Sequence, residues 1–127
     1  MKLFEVDRTM DKKGILLKYD GFIFDPQYVV DEEQVLFAYL HMKKAFKRGS
    51  NIADDPKIEF LVRLSGKDQI STAIKLGLKD KMERFGVLMP DKNGISSIKG
   101  DPKKIKEFFG TTNKKEIFEK IALIEVL

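Results

Sequence analysis

Ile58-Glu59-Phe60-Leu61-Val62-Arg63-Leu64-Ser65-Gly66-Lys67-Asp68-Gln69-Ile70-Ser71-Thr72-Ala73-Ile74-Lys75-Leu76-Gly77-Leu78 is the stretch on which the fold turns. Its first half alternates: Ile58, Phe60, Val62 and Leu64 share one face, and Glu59, Leu61, Arg63 and Ser65 the other. A period of two predicts a strand near the middle of a sheet. In the second half Ile70, Ile74 and Leu78 return every four residues, which predicts a helix. Between them, the Ser65 hydroxyl with Asp68 three residues on makes a capping-box arrangement. The expected unit is strand, Ser-Gly turn, helix.

A helix begun in this way presents free N–H groups and a positive dipole end, with Lys67 beside them. That is a candidate site for a phosphate or a carboxylate. A P-loop is excluded, because it needs Gly five residues before Gly66 and Ser or Thr after Lys67, where the chain has Leu61 and Asp68. The plainer alternative is that Ser65 and Gly66 only turn the chain.

Outward from this stretch, Leu3, Phe4 and Val6 predict a short opening strand. The next segment admits two readings. Asp20-Gly21 between Ile15–Tyr19 and Phe22–Phe24 is a two-residue hairpin signal. Thr9 or Asp11 as a cap, with Gly21 as a stop, frames a helix equally well. Phe22–Phe24 is a strand in either case, ended by Asp25-Pro26.

A helix is expected from Asp31 to Arg48. Asp31-Glu32-Glu33 fill its first turn and Lys43, Lys44, Lys47 and Arg48 its last, as the macrodipole favours. Val35, Tyr39, Met42 and Phe46 form its apolar face, widened by Leu36 and Leu40, and Gly49 closes it. Asn51 to Pro56 reads as a polar loop, and Phe85–Met89 as a buried strand. Asp101-Pro102 starts a helix that runs through Ile105, Phe108 and Phe109 to Gly110. Asn113, with Glu116 three residues on, caps the last helix. That helix ends in Ile121-Ala122-Leu123-Ile124-Glu125-Val126-Leu127, apolar nearly all the way round, so it either fills the core or meets a partner. The element order predicts an α+β single domain over residues 1–127, a small mixed or antiparallel sheet packed against several helices.

With 127 residues, 43% of them hydrophobic and 35% charged, the chain has the composition of one globular domain with a modest core. It has no cysteine, which excludes disulfides, thiolate metal sites and a cysteine nucleophile. No apolar run approaches a membrane span, and the N-terminus lacks the apolar segment of a signal peptide, so a cytoplasmic protein without membrane contact is expected. Net charge is +4, a mild excess. Of the 24 basic residues only Arg8, Arg48, Arg63 and Arg84 are arginine. Lysine serves phosphate as a point charge, whereas base edges are read mainly by Arg, so any nucleic-acid contact is expected at backbone or end.

Catalytic chemistry is hard to assemble. His41 is the only histidine and lies mid-helix, so neither a zinc site nor a histidine triad can be built. Asp54-Asp55 before Pro56 reads as a solvated loop. Lys43-Lys44-Ala45-Phe46-Lys47-Arg48 is one basic cluster and Lys103-Lys104-Ile105-Lys106 a second, the latter read as a solubility feature. A binding domain without metal or cofactor is expected, not an enzyme.

Asn51-Ile52, Glu59-Phe60-Leu61, Ser65-Gly66, Gln69-Ile70 and Ala73-Ile74 occur in an order and spacing that resembles the small kinase-binding subunit of the KEOPS complex, also called the PRPK-binding protein family. Val29-Val30 and the closing Glu119-Lys120-Ile121-Ala122-Leu123-Ile124-Glu125 extend the resemblance, which looks like archaeal members, over most of the chain. The resemblance implies a non-catalytic regulatory subunit. Such a subunit docks on the N-lobe of the complex's small atypical kinase, stimulates its ATPase activity, and meets the other KEOPS subunits through it. It also captures tRNA, including the single-stranded 3′ acceptor end, for threonylcarbamoyladenosine modification beside the anticodon. Carried over by position, the RNA-binding residues are Arg48, Asn51, Ser65, Gly66, Lys67, Gln69 and Ile70, with neighbouring lysines. Asp68 departs from what RNA favours in that turn. No exposed aromatic run of the kind that stacks bases is visible, so the base contacts are unassigned. For the kinase surface the expectation falls on apolar helix faces, Ile117, Ile121 and Ile124, with Ile74 added. The competing reading is a stand-alone RNA-binding domain.

Overall fold

Asp11, Asp31, Asp55, Asp101 and Asn113 each accept a hydrogen bond from a backbone N–H in the first turn of a helix, and so set where five of the helices begin. The computed structural model describes residues 1–124. In chain order these form β1 (Lys2–Val6), β2 (Met10–Asp11), α1 (Lys12–Lys18), β3 (Phe22–Phe24), a 3-10 turn (Pro26–Tyr28), α2 (Glu32–Arg48) and α3 (Pro56–Ser65). After them come α4 (Ile70–Ala73), a second 3-10 turn (Ile74–Leu76), β4 (Lys81–Met82), β5 (Phe85–Met89), β6 (Gly94–Ile95), α5 (Pro102–Phe109) and α6 (Lys114–Leu123). Val126, Leu127 and Glu125 of the terminal apolar run lie outside the described residues.

The stretch expected as a central strand is a helix. Every residue from Glu59 to Ser65 is buried, so this part of α3 is enclosed on all sides and the two-residue alternation reports burial, not a pleat. Asp55 caps the helix and Pro56 takes its first position, which suits a residue with no N–H to donate. Gly66, at φ 64°, ends it in the left-handed conformation. Ser65 belongs to this helix and not to the next. Its hydroxyl donates to the Val62 carbonyl at 2.9 Å and accepts from the Lys67 N–H at 3.0 Å. The following α4 starts at Gln69 with no side-chain cap bond, and the expected helix to Leu78 breaks into α4 and the second 3-10 turn. The capping box between Ser65 and Asp68 does not form.

The segment with two open readings is a helix. Asp11 caps α1 through the Gly14 N–H at 2.7 Å, and the two-residue β2 pairs with β4 instead of forming a hairpin with β3. The main sheet has the order β3-β5-β1-β6. β5 is antiparallel to both β1 and β3, and β6 runs parallel to β1.

Register separates two cores. Leu3, Phe22 and Leu88 stand on one face of the sheet, where Leu3 and Phe22 both lie opposite Leu88, and that face packs on α2, α3, α5 and α6 around Phe60, Val62, Ile105 and Ile117. Ile23, Phe85 and Val87 turn to the other face and meet Ile15 of α1 and Met82 of β4. This is an α+β domain with a small mixed sheet between a large helical layer and a thin cover. Among the described residues no helix is long and apolar enough to cross a membrane.

Gly86 shows how closely the sheet carries that helical layer. A Cβ built there falls 2.2 Å from the Phe24 ring, which is fully buried. Gly86→Ala is therefore expected to lower stability by about 1–3 kcal/mol, the cost of overpacking a filled core. Urea denaturation checks it, and Phe24→Leu should recover part of the loss when combined with it, because the two sites are in contact.

Candidate nucleic-acid interface

α2 and α3 form an antiparallel hairpin, and its two ends hold different chemistry. At one end the buried Gln34 side chain accepts from the Val30 N–H at 2.8 Å and donates to the Leu64 carbonyl at 3.1 Å. Ser65, Gly66 and Lys67 lie at this end. At the other end are Arg48 and the loop through Asn51. Gln34 and Arg48 are separated along α2 by about 21 Å at the helical rise of about 1.5 Å per residue.

The seven expected RNA-binding residues therefore fall into separate groups. Ser65, Gly66 and Lys67 do not build an anion site. The Lys67 N–H is taken by the Ser65 hydroxyl and the Gly66 N–H reaches the Arg63 carbonyl at 3.3 Å. The N–H groups of Thr72 and Ala73 both bond to the Gln69 carbonyl. Gly66 packs on α6, where a Cβ would lie 3.2 Å from that of Lys120, and the Lys67 ammonium sits 5.6 Å from the centre of the Phe108 ring. A helix of four residues, α4 also lacks the length that gives a macrodipole its strength. Gln69 and Ile70 remain exposed.

At the basic end, Lys43, Lys44, Lys47 and Arg48 are exposed over the last turns of α2, and Gly49 at φ 71° ends the helix. The loop that follows is held from inside. Glu59 Oε1 accepts from the N–H groups of Ile52 at 2.8 Å and Ala53 at 2.7 Å. Glu59 Oε2 takes the Arg63 Nε at 2.7 Å, both side chains being buried, and Arg63 Nη2 reaches the Ser50 carbonyl at 3.5 Å. Asn51 donates to the Ala53 carbonyl at 3.0 Å, and Ile52 is left 40% exposed. This arrangement presents a rigid loop beside a four-cation helix end, which is where Arg48 and Asn51 come together. Glu59 and Arg63 were not singled out from the sequence, although their spacing of four residues was a visible helical ion-pair signal.

The acidic end of α2 is occupied. Asp31 and Glu33 both hold Lys114, at 2.7 and 2.9 Å, and these hydrogen bonds, Asp31 first, push its ammonium above the usual lysine range. Glu32 accepts from the Ile98 N–H at 3.2 Å. The three carboxylates stand close enough to share a cation, yet each already has a protein partner. His41 packs edge-on to Phe37 with ring centres 4.3 Å apart, a place on the helix face. In the second basic cluster, Lys104 bonds the Gln27 side chain at 2.7 Å.

The expected kinase-facing residues divide as well. Ile117 and Ile121 are fully buried and Ile124 is 6% exposed, all three within the main core. They cannot meet a partner as placed, because the packing of α6 on α2 and α3 consumes them. Ile74 is 45% exposed. It lines an apolar groove of about 370 Å³ with Leu16, Ile58, Leu61 and Leu78, and Leu17, which follows Leu16 on α1, is the most exposed large apolar residue among the described residues.

No family model matches the chain, and no curated protein gives a significant match.

Removing one partner from a buried ion pair strands the other. Glu59→Ala is expected to cost about 3–5 kcal/mol in chemical denaturation, and under native conditions to speed amide exchange at Ile52 and Ala53 more than at Leu64. Replacing Glu59 and Arg63 together by apolar residues of similar volume should cost far less.

Proposed function

We propose that this protein is a non-catalytic, tRNA-capturing and kinase-stimulating subunit of a KEOPS-type complex, acting in the cytoplasm in threonylcarbamoyladenosine modification of tRNA. The observation that carries the RNA half of this reading is the basic end of α2. Four cations stand beside an Asn51-Ile52 loop fixed by a buried ion pair. The helix dipole favours each lysine at this C-terminus and offsets part of their mutual repulsion, and a phosphate backbone brought to them releases counterions. The residues that carry the family resemblance agree with this placement, since Asn51-Ile52 forms that loop and Glu59 holds it.

For the kinase half, Ile74 with Leu16 and Leu17 supplies the exposed apolar surface that Ile117, Ile121 and Ile124 do not. An apolar patch of this kind on a small domain suits a protein partner. The complex's atypical kinase is the partner proposed, with the remaining subunits reached through it.

Two experiments test the halves separately. Titration with intact tRNA and with tRNA lacking its 3′ CCA end should give binding that collapses on trimming. Equal binding to both would reduce the site to a generic lysine surface. Leu17→Glu should abolish kinase association and ATPase stimulation with the melting temperature unchanged, whereas Ile121→Glu should unfold the domain by placing a carboxylate in the core. RNA binding with no effect on any kinase would leave the stand-alone RNA-binding reading in its place.

A further inference from the structure

Phe22, Tyr39, Met42, Phe46 and Pro56 line a groove of about 650 Å³ between the C-terminal half of α2, β3 and the start of α3, and Lys43, Lys44 and Lys47 complete its lining. The groove is chemically divided. Its floor is apolar and largely aromatic. Phe22 stands edge-on to Tyr39 at 5.5 Å and tilted against Phe60 at 5.3 Å, so core packing holds its ring in place. Phe22 and Phe46 are half-buried and keep part of their surface open. The rim carries one sign of charge. Among the described residues no carboxylate lines the groove and none of the three lysines is ion-paired.

An aromatic floor beside a single-signed basic rim suits a flat ring tethered to anions, with bases on the floor and phosphates along the rim. Three lysines line this groove, and lysine meets phosphate as a point charge. The floor narrows the choice: an acidic peptide would satisfy the lysines but brings no flat base to stack on Phe22 and Phe46, so it is the weaker fit. The volume lies within the roughly 300–1,000 Å³ of small-ligand pockets, room for a nucleotide or two.

We propose that this groove binds one or two unpaired nucleotides of an RNA strand, their bases against Phe46, Phe22 and Tyr39 and their phosphates on Lys43, Lys44 and Lys47. The inference rests on the RNA-binding part of the proposed function and adds to it the base contacts that Arg48 and Asn51 lack. The stripe Tyr39, Met42, Phe46 on α2 explains how one face serves both purposes. Tyr39 and Met42 are 9% and 3% exposed, whereas Phe46, a turn further on, reaches the surface.

The test uses the full chain and an RNA tetranucleotide carrying 2-aminopurine, whose emission falls when the base stacks. Binding should quench it. Lys43→Glu/Lys47→Glu should weaken binding about tenfold or more and flatten the salt dependence by about 1.4 in log–log slope, the share of two phosphates on a single strand. Phe46→Leu, which keeps the apolar volume and the charges, should lose most of the quenching and about tenfold in affinity, the lower range for one stacked base. Should Phe46→Leu melt early, the charge variant, whose changes are all on the surface, carries the test alone.

Wild-type affinity and salt slope in the charge variant would overturn the proposal. So would an acidic amphipathic peptide that binds in the groove where the tetranucleotide does not, which would assign the groove to a protein. The same variants with tRNA separate the two readings. If intact tRNA binds through its 3′ end and ignores both variants, the groove inference fails and the proposed function stands. If tRNA does not bind but the tetranucleotide binds through these side chains, the proposed function loses its RNA half and the groove inference holds.

Discussion

A carboxylate at the centre of a helical layer must find donors there, and Glu59 finds three: the N–H groups of Ile52 and Ala53 and the Nε of Arg63. α3 makes this necessary. Its last seven residues are buried, so any polar side chain on it must be satisfied by protein groups. The net stability of a buried ion pair against an apolar replacement is small or unfavourable, although loss of one partner is costly. What the pair specifies is conformation. It fixes the connection between α2 and α3 from below, and the hairpin that anchors the helical layer is closed by side chains of the helix it leads into.

That hairpin also sorts charge. The acidic N-terminus of α2 is tied by Lys114 of α6 and by the Ile98 N–H, which spends its carboxylates inside the fold. Among the described residues, the groove beside the basic C-terminus is lined by Lys43, Lys44 and Lys47 and by no acid. A net charge of +4 over 127 residues says little about partners; the same charges, sorted along about 21 Å of helix at about 1.5 Å per residue, create a field with a direction. In the second basic cluster Lys104 turns to the Gln27 side chain, while Lys103 and Lys106 stay exposed.

The outer parts of the fold were legible in the sequence because they have one buried side. α2, α5 and α6 carry caps and a single apolar stripe, and β1 and β5 a short apolar run, so length and punctuation were enough. α3 was misread for the opposite reason. A helix enclosed on every side has no polar face to reveal its period, and Ile58, Phe60, Val62 and Leu64 then imitate a strand. The signal that would have decided it was Asp55-Pro56, the same cap and first-position proline as Asp101-Pro102, which did identify α5. Reading the stretch as a strand then turned Ser65 and Gly66 from the end of one helix into the start of another, and with them the supposed anion site. Arg48 and Asn51 stand together at the basic end of α2 as the sequence placed them, because that placement depends on helix polarity alone. The groove was out of reach, since it joins β3, α2 and α3 across 35 residues of chain from Phe22 to Pro56.

The same accounting decides which apolar residues remain for a partner. The end of α6 looked available because it is apolar nearly all round, but Ile117, Ile121 and Ile124 fall on the one stripe that faces the core and are all consumed, while Leu123 stands 56% exposed. α1 is the reverse case. Of its seven residues only Ile15 is buried, so one side chain anchors it to the thin cover of the sheet while Leu16 and Leu17 stand 50% and 79% exposed. Leucine at those positions contributes nothing to the core that a polar residue would not, and it adds the exposed apolar area that promotes association. A short helix held by one anchor, with two leucines outward and one of them, Leu16, in the groove that Ile74 lines, therefore makes more physical sense as a contact surface than as part of the domain's own packing.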